Sequence, residues 1–124
     1  MLDASAVLAL LHQEPGADEV ETALDGAVIS CVNLSEVLQK AEQHGVDTEG
    51  LEFDLQGLGV RLHEFDVRSA RDAAELWPVT RRLGLSLGDR ACLALARSLG
   101  GVAVTTDTRW AELDATGVSI AVVR

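Results

Sequence analysis

SLGDRACLALARSLGGVAVTTD, residues Ser86–Asp107, holds one helix and one strand, with one carboxylate near the start of the helix and another just after the strand. Ser86–Leu99 is apolar nearly all round through ACLALA, the pattern of a helix buried on most sides. Gly100-Gly101 ends it. Val102–Thr105 then reads as a strand. Asp89 stands in the first turn of the helix and Asp107 just beyond the strand.

The same order of elements extends outward in both directions. Met1-Leu2-Asp3 reads as the tail of a first strand, short enough to leave room for a start upstream. Ala4–Gln13 is a helix rich in Ala and Leu, broken by Pro15-Gly16; Ala17–Leu24 is a second, amphipathic one. Asp25-Gly26 marks a turn. Ala27–Cys31 (AVISC) is a continuous apolar run, as in a strand covered on both faces. Asn33–His44 is a helix ended by Gly45, and Thr48–Leu58 another, with Leu51, Leu55 and Leu58 on one face. Val60–Phe65 alternates as a strand. Val67–Leu83 predicts a longer helix that Pro78 kinks or splits. Asp107–Leu113 is a short helix and Val118–Val123 a last strand. Strands alternating with helices imply βαβ units, a parallel sheet and helices on both of its faces.

With 124 residues the chain fits one domain. Its hydrophobic fraction of 48% supports a core, and that core is aliphatic, since there are two Phe, two Trp and no Tyr. The net charge is -10, from 20 acidic and 10 basic residues. That balance argues against a simple nucleic-acid binder. It leaves a nuclease open, because an acidic site attracts a metal ion and the ion attracts phosphate. It also suits a basic protein partner. Lys40 is the only Lys; Arg61, Arg68, Arg71, Arg81 and Arg82 crowd the middle third, where solubility and ion pairing account for most of them. Cys31 and Cys92 have no zinc or redox spacing and read as buried free thiols. The N-terminus lacks the basic region of a signal peptide, and no apolar run reaches membrane-span length. The expected location is therefore cytoplasmic, with no membrane.

Four carboxylates share one relation to the expected sheet. Asp3, Glu36, Asp89 and Asp107 each follow a strand or open the helix after one. In an open parallel sheet the carboxyl ends of the strands converge on one crevice. Two unit charges about 4 Å apart repel by roughly 4 kcal/mol at an effective dielectric near 20. A divalent cation relieves that repulsion, and hard oxygen ligands favour Mg²⁺ or Mn²⁺ over zinc. Such an ion eases deprotonation of water and stabilises charge developing on a phosphodiester. Each acid also has a plainer explanation. Asp3 suits a helix cap. Asn33 with Glu36, and Ser86 with Asp89, fit capping boxes. Asp107 fits a turn. The other acids fall in amphipathic or turn contexts and read as solvated faces.

Ser5, Thr105 and Thr106 offer hydroxyls near the acids, although Ser5 suits a bond to its own helix backbone. His12, His44 and His63 share no spacing and read as scattered surface or edge residues. Trp77 and Trp110 read as core anchors in a chain with so few aromatics, with base stacking as the other use.

LDASAVLALL (Leu2–Leu11), VNLSEVL (Val32–Leu38), GLSLGDRACLALA (Gly84–Ala96), VAVTTDTRW (Val102–Trp110) and GVSIAVV (Gly117–Val123) together resemble the PIN-domain family, and more narrowly its VapC toxins from toxin–antitoxin pairs. The resemblance spans the chain in order, and GLSLGDRACLALA is its most specific stretch. It implies a three-layer α/β/α sandwich around a central, mainly parallel sheet of about five strands. It implies an endoribonuclease dependent on Mg²⁺ or Mn²⁺, acting on RNA, homodimeric, and held inactive by a cognate VapB-type antitoxin. On the same resemblance Asp3, Glu36, Asp89 and Asp107 are the catalytic and metal-binding acids, Ser5 and Thr106 supporting hydroxyls, and Arg90 a basic residue that orients the acids. One departure is the near absence of apolar residues before Asp3, which predicts a loosened first acid.

A reading from another class keeps the fold as a non-catalytic module, its acids serving as caps or as ligands for a basic partner. Divalent-ion binding separates the two.

Overall fold

Two pieces of parallel sheet lie at the centre of the protein, whose computed structural model describes residues 1–124. Strand β1 (Val28–Ser30) pairs with β2 (Arg61–His63), Val28 opposite Arg61. Strand β3 (Val102–Thr105) pairs with β4 (Ser119–Val122), Val102 opposite Ser119. Met1–Asp3 runs between these pairs. Leu2 N–H donates to Val28 O at 2.9 Å, while Val104 N–H donates to Met1 O at 2.7 Å and Asp3 N–H to Val104 O at 2.9 Å. The regular pairing is thus two two-stranded sheets, with a single bridge at Leu2–Val104, where one sheet of about five strands was expected. The first segment stays a bridge because helix α1 (Ala4–Leu11) starts immediately after Asp3.

Helices α2 (Ala17–Ala23), α3 (Cys31–Gln43), α4 (Leu51–Gly57), α5 (Val67–Glu75), α6 (Trp77–Thr80) and α7 (Leu87–Leu99) complete the α/β fold, with 3₁₀ turns at Arg81–Leu83 and Thr108–Glu112. The helix expected from Asn33 begins two residues earlier, because the Ser30 hydroxyl caps it by accepting from Val32 N–H. Asn33 and Glu36 therefore lie inside α3, and no capping box forms there. The expected Val67–Leu83 helix is divided as Pro78 requires: its ring sits in the first turn of α6, where the missing N–H costs nothing. Gly84 and Gly100 close the helical stretches before them at φ 66°, a backbone state that a Cβ disfavours.

Neighbouring residues on a strand face opposite ways. Val104 packs against a core built from Leu2, Val7, Val20, Ile29, Val37 and Leu55. Ala103 belongs to another, with Leu76, Cys92, Leu93 and Trp110. Cys92 is a buried free thiol, but Cys31 is only half-buried. Trp110 anchors its core as expected, whereas Trp77 does not: α6 is one turn long and leaves half the indole in solvent. His12 and His44 are not scattered, their rings lying 5.0 Å apart. No helix is long and apolar enough to cross a membrane.

Candidate functional site

Asp3 is 4% exposed and occupies the N-cap position of α1, yet its side chain makes no capping bond. Its Oδ2 instead accepts from the Ser5 hydroxyl at 2.7 Å and the Thr105 hydroxyl at 2.9 Å. Ser5 is engaged with this network rather than with its own helix backbone. Its Oγ lies 3.1 Å from Thr105 Oγ1 and accepts from Thr106 N–H at 3.1 Å. Thr105 Oγ1 also accepts from Asp107 N–H at 3.0 Å. Two hydroxyls thereby lock the start of α1 to the end of β3. The threonine hydroxyl on Asp3 belongs to Thr105; Thr106, expected to supply one, contributes its backbone N–H to Ser5 Oγ instead.

Burial raises the Asp3 carboxyl above its usual range, the charge of Asp89 adds to that, and the two hydroxyl bonds pull it partly back. Glu36 is raised as well, first by burial, then by the charge of Asp3, with a smaller push from Asp89; Asn33 and Lys40 oppose the shift. Asn33, wholly buried on α3, donates its amide to Gly88 O at 2.9 Å and to Glu36 Oε1 at 3.2 Å. It pins Glu36 against the first turn of α7. A Cβ at Gly88 would run into the Glu36 carboxylate, so the glycine is what lets the two helices share this spot.

Asp89 makes the capping box its spacing predicts: Ser86 N–H donates to Asp89 Oδ2 at 2.8 Å, and Asp89 N–H to Ser86 Oγ at 3.2 Å. Asp107 is held by Arg109. The guanidinium approaches both carboxylate oxygens at 2.6–3.1 Å, the Arg109 N–H donates to Oδ1 at 2.9 Å, and Nη1 donates to Leu83 O at 2.9 Å. These bonds keep the Asp107 carboxyl below its usual range. Arg109 and Lys40 are the charged site residues that sequence reasoning did not place here. The signal for Arg109 is the D-T-R spacing, since a turn-forming Asp accepts the N–H two residues on. Arg90 lies elsewhere: its Nη1 points to Ala73 O on α5, at 3.4 Å, and it bonds none of the acids.

Asp3, Glu36, Asp89 and Asp107 line one cleft of about 280 Å³, together with Ser5, Lys40, Ser86 and Arg109. The fold therefore brings all four sequence-predicted acids together. As the side chains stand, no three of them meet at a point where one ion would touch all three. Asp89 is turned toward its cap and Asp107 toward Arg109. The donor chemistry still suits a hard divalent cation, with carboxylate oxygens clustered, partly desolvated and mutually repelling.

The family model for the PIN domain matches residues 1–116. The chain belongs to the PIN-domain family. Among solved structures, this PIN domain is similar to a toxin–antitoxin complex from Klebsiella pneumoniae, with a TM-score of 0.68 and 20% identity over 94% of this chain and 92% of that one. At that identity the likeness is one of fold. No curated protein matches the chain significantly in sequence.

Proposed function

We propose that this PIN domain is a metal-dependent endoribonuclease of the VapC type, the toxin of a toxin–antitoxin pair. The observation that carries the reading is Asp3. A buried carboxylate that declines an available helix cap, is gripped by two hydroxyls and faces two more acids has no structural role that a neutral residue could not fill better. Asp3, Glu36 and Asp89 would hold Mg²⁺ or Mn²⁺, joined by Asp107 when Arg109 lets go. The ion would neutralise the cleft, acidify water and stabilise charge on the phosphodiester. The chain's own residues set the frame. Ser5 and Thr105 fix Asp3, Asn33 fixes Glu36, and Lys40 tempers its charge. The two sheet pairs and Met1–Asp3 act as one five-stranded layer between helices, so the acids stand at a common edge.

The structural likeness to a toxin–antitoxin complex supports an antitoxin as partner. The Arg109–Asp107 pair supports its chemistry, since this cleft already takes a guanidinium: a basic antitoxin segment would compete for the same carboxylates. The same pair favours a second reading, a non-catalytic module that binds a basic partner. On this reading the toxin works as a homodimer in the cytoplasm.

The test is RNA cleavage by purified protein with Mg²⁺ or Mn²⁺, with and without EDTA. Asp3→Asn and Glu36→Gln should fold and fail to cut. Cleavage by these variants at the wild-type rate would remove the site assignment. Absence of both Mn²⁺ binding and cleavage in the wild type would leave the binding module standing.

A further inference from the structure

Trp77 is 50% exposed, while the only other tryptophan, Trp110, is 1% exposed. The Arg81 guanidinium carbon lies 4.8 Å from the Trp77 ring centroid, stacking a cation on the indole. The surrounding stretch, LWPVTRRLGLSLG (76–88), has two arginines and no acid, in a chain with 20 acidic residues. Arg81 and Arg82 are both exposed, and Arg82 is steadied by donating to Glu112 O at 2.8 Å. Leu87 adds 51% exposed apolar surface. The far end of the stretch is the wall of the acidic cleft, where Gly84 and Ser86 line it and Leu83 O accepts from Arg109. One turn of α-helix and one of 3₁₀ helix separate Trp77 from Gly84, about 12 Å by their rises. That is roughly three to four stacked nucleotides.

We infer that Trp77, Arg81 and Arg82 form a landing platform for single-stranded RNA, with a base on the indole and phosphates on the two guanidinium groups. The inference rests on the ribonuclease reading of the cleft and names the face over which its substrate arrives. Bulk charge does not draw RNA to this protein. A local stretch with two exposed arginines, no acid of its own and a π-face does, since stacking tolerates any base and arginine supplies the phosphate contacts. An apolar protein partner would leave two exposed arginines facing it without carboxylates. RNA uses the arginines and the ring together.

The experiment is a fluorescence titration of the intact protein, in Mg²⁺, with a short single-stranded oligodeoxynucleotide, which carries the same phosphates and base faces without an RNA linkage to cut. Trp110 is buried, so the changing signal belongs to Trp77. Saturable quenching that weakens with salt is expected. Because Trp77→Leu removes the reporter itself, the variants are compared by the anisotropy of a dye-labelled oligonucleotide: Trp77→Leu should weaken binding about tenfold, and Arg82→Ala should lower the salt slope by about 1. In RNA cleavage Trp77→Leu should raise KM about tenfold with little change in kcat, and Trp77→Phe should restore part of the loss. Both replacements sit at a half-exposed ring and should leave the fold intact, which far-ultraviolet circular dichroism checks. Unchanged KM and unchanged oligonucleotide affinity in Trp77→Leu would overturn the platform. So would emission that responds only to protein concentration or to an acidic peptide. The two readings fail separately: wild type that quenches without cutting RNA keeps the platform and loses the nuclease, whereas wild type and Trp77→Leu cutting identically keep the nuclease and lose the platform.

Discussion

Replacing Arg109 by Gln removes the cation that now neutralises Asp107. The pair is a close one, with Arg109 Nη2 2.6 Å from Asp107 Oδ2 and Nε 3.1 Å from each oxygen. Two charges about 4 Å apart attract by up to about 4 kcal/mol at an effective dielectric near 20. The side chains are 49% and 21% exposed, however, and solvent reduces such a pair to about 1 kcal/mol. An ion that uses Asp107 must first displace Arg109, which costs it about that amount. Arg109→Gln should therefore tighten Mn²⁺ binding about fivefold, because 1.4 kcal/mol corresponds to a factor of ten. Loss of the tie from Arg109 to Leu83 O should lower stability by about 1 kcal/mol or less. Calorimetric titration of metal-free protein with Mn²⁺, alongside denaturant unfolding, reads both quantities. Asp107→Asn supplies the control, and the two substitutions should be non-additive. Equal or weaker Mn²⁺ binding in Arg109→Gln would show that Asp107 takes no part in holding the ion.

Gly88→Ala should push the Glu36 carboxylate aside while leaving the fold intact, because the new Cβ meets only the far end of a flexible side chain, and moving it gives up the bond from Asn33. Melting temperature should hold and Mn²⁺-dependent cleavage fall about tenfold; a parallel loss of both would point to helix packing instead. Thr105→Val removes a buried hydroxyl that serves Asp3 and Asp107 N–H, and should cost about 1.5–3 kcal/mol in urea unfolding, with Thr105→Ser retaining most of it. Asp3→Asn should stabilise the metal-free protein by about 1 kcal/mol, since a neutral acceptor replaces a buried charge beside other acids, and should erase the stabilisation by Mn²⁺. A variant that melts lower without metal and still gains from Mn²⁺ would contradict that account.

The alternation of apolar runs and amphipathic stretches was legible because burial imposes it: β1, β3 and α7 stand close to where AVISC, VAVT and ACLALA place them. Boundaries shifted where one side chain decides them, as when the Ser30 cap moves the start of α3 to Cys31. Asp3, Glu36 and Asp107 were legible because a strand's exit is a topological position, readable without coordinates; Asp89 is not at one, since α7 follows the 3₁₀ turn at Arg81–Leu83, and its local signal was the capping box with Ser86. Side-chain partners were not. Asn33 reaches Gly88 and Arg90 reaches Ala73 across 55 and 17 residues, and nothing local in the sequence encodes either bond. Trp77 was misplaced for a related reason. Composition says that aromatics are scarce, but only the one-turn length of α6 shows that the indole has no core to enter.

The shortness of the segment before Asp3 predicted a loosened first acid, and the structure answers that point through bonding rather than length. A longer first strand would add ladder bonds upstream, away from the carboxylate. What fixes the carboxylate is local. Asp3 N–H is bound to Val104 O, Leu2 N–H to Val28 O, and Oδ2 to hydroxyls on either side of it, Ser5 on α1 and Thr105 on β3. Because Ser5 Oγ also accepts from Thr106 N–H, and Thr105 Oγ1 from Asp107 N–H, the first and fourth acids are parts of one hydrogen-bonded unit. Asp3 cannot swing without disturbing the backbone that presents Asp107. A site built this way tolerates a minimal first strand, since its geometry depends on two hydroxyls at the strand ends and only weakly on how far the strand extends behind them.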